Sequence, residues 1–284
     1  MDTLVLPEEV TQRSREARAK GRRIGFVPTM GYLHEGHLSL VRAARTQTDL
    51  CVVSIYVNPT QFGPDEDLEA YPRHMGRDSL LLEKEGVDIL FAPSDDAMYP
   101  GSDLTRVRVN RITEGLCGAF RPVHFEGVCT IVAKLFHVVE PDVAYFGQKD
   151  FQQAVVLRTM ARDLLMPIEV RALPTVREED GLAMSSRNAY LDEEERKAAL
   201  SLLKALKRGK TLVEEGEKDP EKILLAVRRV LESEPLVGPT DYVEMVNPDT
   251  LETLTKPVTL PALLAIAAYV GRARLIDNLY LAKE

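Results

Sequence analysis

The stretch RRIGFVPTMGYLHEGHLSLVRAA, Arg22 to Ala44, decides how the chain folds. Arg22 to Val27 is a short β-rich run ending in Pro28, and from His37 to Gln47 the residues Leu38, Leu40, Val41 and Ala44 recur at helical spacing. The stretch reads as strand, loop, helix. The same alternation continues outward from it. CVVSIYV (Cys51 to Val57) is a continuous apolar strand, Met75 to Glu85 a helix, and VDILFAP (Val87 to Pro93) a further buried strand. A helix from Val128 to Val139, a strand from Asp142 to Gly147, a helix from Asp150 to Leu164 and a strand from Ile168 to Pro174 extend the plan. Continuously apolar strands separated by helices indicate a parallel sheet covered on both faces.

Beyond Thr175 the texture changes. Asp192 and Glu195 form a capping box that opens a long charged helix through Ala205, and Pro220 to Ser233 reads as a second helix. The runs DYVEMV, LLAIAAYV and ARLIDNLYL follow with no helix between them, which implies an antiparallel sheet. The expected architecture is therefore α/β: a Rossmann-like doubly wound parallel sheet over residues 1–175, with a smaller C-terminal α+β lid domain over 176–284.

Composition narrows the partners. The 284-residue chain has 45% hydrophobic residues, enough to build its own cores, and a net charge of -8 that repels nucleic acid and anionic lipid at long range. A small-molecule partner is expected, with no nucleic acid and no membrane. Cys51, Cys117 and Cys129 are odd in number and widely spaced, so they form neither a disulfide framework nor a zinc pattern. No apolar run reaches the ~18 residues of a spanning helix, and MDTLVLPEEV lacks the order of a signal peptide. A cytoplasmic protein is expected.

The loop Pro28 to Gly36 follows the first strand of the opening stretch, and in doubly wound sheets ligands sit at the carboxyl ends of strands. Gly31 and Gly36 permit close backbone approach, and the next helix offers unpaired N–H groups and a positive dipole end to an anion. His34 and His37 add donors on the same side, a combination suited to a triphosphate whose α-phosphorus is under attack. Their i,i+3 spacing around Gly36 differs from the i,i+4 pair of a zinc helix. A purely structural role for the two histidines is the other reading of this loop.

Further polar clusters follow other strands. Asn58 and Gln61, in VNPTQFG, would present amides to a polar substrate, or else form an ordinary Asn-Pro turn. Arg121 and His124 stand before the Val128 helix, where an anion could be held. In FGQKDFQQ, Gly147 allows close approach, Lys149 is a point charge for phosphate, and Asp150 bonds a ribose hydroxyl or caps the helix. In GLAMSSRNAYL, Arg187 offers a fork to a leaving pyrophosphate, although Ser-Ser-Arg-Asn is also ordinary linker chemistry. Neither serine stands in a nucleophile elbow.

Read together, HEGH and MSSR resemble the two signature loops of nucleotidyl-transferring enzymes related to class I aminoacyl-tRNA synthetases. More narrowly, PTMGYLHEGHLSLVR, YVNPTQFGPDEDLEAYPR, FRPVHFEGV, FGQKDFQQ and DGLAMSSRN, in this order from Pro28 to Asn188, resemble the pantothenate synthetase (pantoate–β-alanine ligase) family. The resemblance implies an ATP-dependent condensation of pantoate with β-alanine to pantothenate, a coenzyme A precursor. It would run through pantoyl adenylate and release pyrophosphate and AMP. It implies that His34 and His37 contact phosphate, with His37 as the transition-state electrophile and proton donor, and that Lys149 completes the catalytic set. Met30, Gly31, Gly147, Lys149, Asp150, Val176, Met184, Ser185, Ser186 and Arg187 would bind ATP, while Pro28, Thr29, Gln61 and Gln153 would hold pantoate. Tyr71 falls in a loop expected to cover the site. Mg2+ is implied, with Asp78 its candidate ligand, and so is a homodimer. The position before Met184 is Ala183, where the related synthetases carry lysine, so Lys149 would supply that charge.

Two other readings compete. A transferase that passes the adenylate to a phosphomonoester would want a cluster of Arg or Lys near Asn58 and Gln61, where amides and Phe62 stand instead. A non-catalytic nucleotide-sensing or RNA-binding module would want a basic stripe or stacking aromatics, which the chain lacks.

Overall fold

The structure, a computed structural model, describes residues 1–101 and 103–282. By its contacts the chain divides into two compact units. The first comprises Met1–Asn110, Arg121–Gln148 and Gln153–Pro174. The second comprises Arg111–Phe120, Lys149–Gln152 and Thr175–Glu284.

The first unit begins with β1 (Asp2–Leu4), α1 (Pro7–Ala19), β2 (Ile24–Thr29), α2 (Glu35–Gln47) and β3 (Leu50–Ile55). It continues with α3 (Met75–Lys84), β4 (Ile89–Phe91) and α4 (Asp95–Met98). After α5 (Cys117–Phe120), which belongs to the second unit, come α6 (His124–Val139), β5 (Val143–Gly147), α7 (Phe151–Asp163) and β6 (Glu169–Leu173). Its six strands form one parallel sheet in the order β1-β4-β3-β2-β5-β6. β2, the strand of the opening stretch, is the switch point: the chain runs outward from it through β3 and β4, then returns to its other side as β5. A crevice at such a point lies beyond the carboxyl ends of the strands, which brings Thr29 of β2 and Gly147 of β5 to the same end of the sheet.

Every residue of β3 is buried, as a strand covered on both faces must be. Val27, Val53, Leu90 and Tyr145 from the strands share one core with Leu40, Val41 and Ala44 of α2. Leu33, fully buried in this core, pins the end of the histidine loop. The helix predicted from His37 starts at Glu35, so His34 is its N-cap residue and both histidines belong to the helix start. α1 and β1 lie in a segment with no predicted element. Of the 13 residues of α1 only Val10, Ser14 and Ala17 are buried, too narrow a stripe to read as a period.

The second unit contains α8 (Glu193–Glu214), α9 (Pro220–Glu232), β7 (Val237–Val246), β8 (Ala262–Val270) and β9 (Ala273–Leu281). Its three strands form an antiparallel sheet in the order β7-β8-β9, with α8 and α9 packed against it. Asp192 caps α8 with the capping box that its spacing to Glu195 predicts. α8 runs past Ala205 to Glu214, because Leu206 and Gly209 continue its buried face. No helix among the described residues is long and apolar enough to cross a membrane.

Candidate active site

The histidine loop is held by hydrogen bonds that its own sequence does not announce. Thr29 Oγ1 donates to the Ser54 carbonyl at 2.8 Å and accepts the Gly31 N–H at 3.1 Å, so β2 leaves the sheet in a tight turn. Gly31 takes φ +82°, and a Cβ there would stand 2.9 Å from Ile55 Cγ2, so only glycine fits. The next two amides, of Tyr32 and Leu33, donate to the two oxygens of Asp78 at 2.6 and 2.9 Å. Asp78 is 1% exposed, it lies in the first turn of α3, and Arg77 stands 3.3 Å from its carboxylate. The Arg77 guanidinium also lies 5.3 Å from the Tyr32 ring, a cation–π pairing that covers the turn.

Asp78, the residue expected to meet Mg2+, is thus also the brace of the histidine loop. Both of its oxygens accept loop amides, and it is buried. Among the described residues no group of three His, Cys, Asp or Glu side chains lies close enough to hold a metal.

His34 and His37 lie side by side, ring centroids 4.1 Å apart and planes inclined by 33°. The His34 N–H donates to His37 Nδ1 at 3.3 Å. With Nδ1 accepting, the neutral imidazole carries its proton on Nε2 and is a donor there. Both rings thus stand at the amino end of a 13-residue helix, whose N–H groups and dipole favour negative charge.

Gln61 lies in the turn Pro59–Gln61 beyond β3 and is 8% exposed. Its Nε2 reaches Met30 Sδ at 3.1 Å, which joins it to the histidine loop. Its Oε1 accepts from Asn58 Nδ2 at 3.0 Å. Asn58 itself is 1% exposed, donates also to the Gly127 carbonyl, and accepts from Tyr99 Oη at 2.7 Å and Thr60 Oγ1 at 3.0 Å. The expectation that Asn58 would present its amide to a substrate is therefore replaced by a bracing role. Burial pushes the Tyr99 hydroxyl pKa up and keeps it a protonated donor to Asn58.

Arg121 and His124 are likewise framework rather than anion holders. Arg121 Nε bonds Glu66 at 3.0 Å, its Nη2 donates to the Gln61 carbonyl at 3.3 Å, and His124 Nδ1 lies 3.1 Å from the same carbonyl. Gly127 of α6 permits this packing: a Cβ there would stand 2.4 Å from the Thr60 carbonyl oxygen and 2.6 Å from Gln61 backbone atoms. Tyr71 is buried edge-on against Phe62, ring centroids 6.1 Å apart. Half-buried Pro28 and Met30 flank Thr29, and half-buried Gln153 lies in the first turns of α7.

Beyond Gly147 the chain makes a single 3-10 turn, Gln148–Asp150, that carries it into the second unit at Lys149. The Lys149 ammonium lies 3.8 Å from the Asp150 carboxylate, itself about half exposed. Gln152 clamps the chain beside it, donating to the Ile112 and Gly115 carbonyls and accepting the Cys117 N–H. Val176 accepts the Met184 N–H at 3.1 Å and Arg177 bridges to Ala183, so the segment carrying Met184 is one arm of a hairpin. Ser185 Oγ then accepts the Arg187 N–H at 3.2 Å, opening the 3-10 turn Ser186–Tyr190. Lys149, Ala183 and Ser185 line a common cavity with Asp277 and Asn188.

Comparisons with known proteins give the family. A family model described as pantoate-beta-alanine ligase matches residues 3–280. The chain belongs to the pantoate–β-alanine ligase family. It is 57% identical over 265 residues to the pantothenate synthetase of Thermoanaerobacter pseudethanolicus, covering 93% of each chain. It is 56% identical over 271 residues to that of Thermotoga petrophila, covering 95% of this chain and 96% of the relative. Crystal structures agree in fold. The pantothenate synthetase of Thermus thermophilus superposes with a TM-score of 0.93 at 46% identity, covering 100% of both chains. A pantoate-beta-alanine ligase of Francisella tularensis, complexed with beta-gamma ATP and β-alanine, gives 0.80 at 30% identity, covering 99% of this chain and 97% of that one. The protein is accordingly a ligase of pantothenate biosynthesis with the Rossmann-like α/β fold.

Proposed function

We propose that this ligase works in two steps through an acyl adenylate. The pantoate carboxylate attacks the α-phosphorus of ATP and expels pyrophosphate. The β-alanine amine then attacks the carbonyl of pantoyl adenylate, losing a proton and expelling AMP, to give pantothenate. The observation that carries this reading is the paired His34 and His37 at the amino end of α2, beyond the switch-point strand. Attack of an anion on a phosphoryl group needs little proton transfer and much positioning and charge neutralisation. His37, with Nδ1 accepting the His34 amide, directs an Nε2–H donor to phosphate oxygens on which charge grows.

In this reading His34 shares the phosphate contact, and Lys149 adds the point charge that Ala183 does not supply. Met30 and Gly31 meet the nucleotide at the histidine loop. Gly147, Asp150 and Val176 bind the adenosine moiety, and Met184, Ser185, Ser186 and Arg187 bind adenine and the outer phosphates. Gln61, Gln153, Pro28 and Thr29 hold pantoate. Gln61 suits this role because Asn58 fixes its carbonyl end, leaving its orientation preset before substrate arrives. Mg2+ would neutralise the nucleotide's phosphates, with Asp78 its candidate side-chain ligand. A cytoplasmic homodimer completes the reading.

Pantoate-dependent exchange of labelled pyrophosphate into ATP, with Mg2+ and without β-alanine, tests it. The parent protein is expected to exchange, and His37→Ala to lose exchange by at least about a hundredfold, the cost of one preorganised donor to a developing charge. A parent that fails to exchange would sink the adenylate route and favour transfer to a phosphate acceptor.

A further inference from the structure

The two segments of the second unit assigned to the nucleotide, the Lys149 turn and the Val176–Met184 hairpin, are tied to consecutive residues of one strand. Asp277 and Asn278 of β9 are 4% and 6% exposed. Arg177, in the first arm of the hairpin, forks onto Asp277: Nη1 lies 2.7 Å from Oδ2 and Nη2 2.8 Å from Oδ1. The same Nη1 donates to the Gly181 carbonyl at 3.1 Å, so the fork fixes the hairpin's turn as well as its arm. Asp277 Oδ1 also accepts the Asn278 N–H at 2.8 Å, and Asn278 Nδ2 donates to the Lys149 carbonyl at 2.9 Å. Adjacent strand residues point to opposite faces, which is how two neighbours reach two separate segments.

The geometry points to Asp277 and Asn278 as positioning residues that set the Lys149 turn and the Met184–Arg187 segment in register with each other for ATP. This rests on the adenylation reading above. A buried two-point Arg–carboxylate contact is geometrically specific in a way that a surface ion pair is not. Apolar contacts of this face come from Ala273, Leu275 and Leu281, so the polar pair is not needed to bury the strand. What the pair adds is placement: one bond ends on the backbone of Lys149, the other on the base of the hairpin that leads to Ser185.

Asn278→Ala removes the donor to the Lys149 carbonyl, and Arg177→Lys keeps the charge opposite Asp277 while losing the fork. Affinity for a non-hydrolysable ATP analogue is measured by titration calorimetry, and KM for ATP and for pantoate by pyrophosphate exchange. Each variant is expected to weaken ATP binding about threefold to tenfold, the worth of one lost hydrogen bond, with KM for pantoate within about twofold of the parent. Variants that bind ATP as the parent does overturn the proposal, as do variants that lose ATP and pantoate affinity together with melting temperature. A parent that binds the analogue but fails to exchange counts against the adenylate route alone, leaving the calorimetry to decide the positioning role.

Discussion

Removing the Asp78 carboxylate strips two adjacent amides, those of Tyr32 and Leu33, of their acceptors in the turn that aims His34. Hydrogen bonds to a charged group contribute about 1.5–3 kcal/mol each, and a buried donor left unpaired costs more than one returned to water. Asp78→Ala is therefore expected to lose about 2–4 kcal/mol of stability in urea unfolding and to lower pyrophosphate exchange about a hundredfold, the cost of a misplaced catalytic group. Asp78→Asn, which keeps one acceptor, should fall between. Equal exchange in Asp78→Ala and parent would show that the loop holds itself. The histidines were legible in the sequence because they crowd one short loop. The Asp78 brace was not, since it acts across 45 residues and its role depends on where α3 packs. Asn58 shows the converse: its residue type invites a ligand, but Tyr99, Thr60 and Gly127 already occupy it, and no local pattern reveals that.

At the scale of elements, the start of α6 shows how packing overrides local signals. The sequence reading starts this helix at Val128, yet α6 begins at His124 and Gly127 is buried within it. Its reason for being there is contact with the Pro59–Gln61 turn, where backbone atoms stand 2.4–2.6 Å from the position of a missing Cβ. In an exposed helix Gly→Ala would stabilise by about 1 kcal/mol. Here backbone must give way, and overpacking of this kind costs about 1–3 kcal/mol. Gly127→Ala is expected to destabilise the protein by a net amount in that range and, by shifting Gln61, to raise KM for pantoate about tenfold with KM for ATP little changed. A stabilised variant with parent kinetics would mean that the turn moves freely away from α6. Long apolar strands and the capping box of α8 were legible because their patterns are local. α1 was not, because its buried stripe is only three residues wide.

Across the whole molecule, the unit boundaries depend on contacts that no local composition shift marks: Arg111–Phe120 and Lys149–Gln152 join the second unit although they precede residue 176. Stability against pH is also a property of the whole fold. Cys51 in β3 and Cys129 in α6 are fully buried, and burial pushes both thiols up to about 12 from 9.0, with the charge of Asp88 adding to the effect at Cys51. Well below pH 9.0 neither the folded nor the unfolded chain ionises them, so the contribution of their burial is fully present. Between 9.0 and about 12 the unfolded chain releases protons that the folded chain keeps, and stability falls as pH rises. The slope is on the order of 1.4 kcal/mol per pH unit for each thiol. Urea unfolding from about pH 8 to about pH 11 should therefore show a steep alkaline loss that is shallower in the Cys51→Ala, Cys129→Ala double variant. Thiol titration with a disulfide reagent at about pH 8 should find these two cysteines unreactive until the protein unfolds, since the thiolate is the nucleophile. A double variant with the same slope as the parent would assign the alkaline loss to other groups and leave the buried thiols without a part in it.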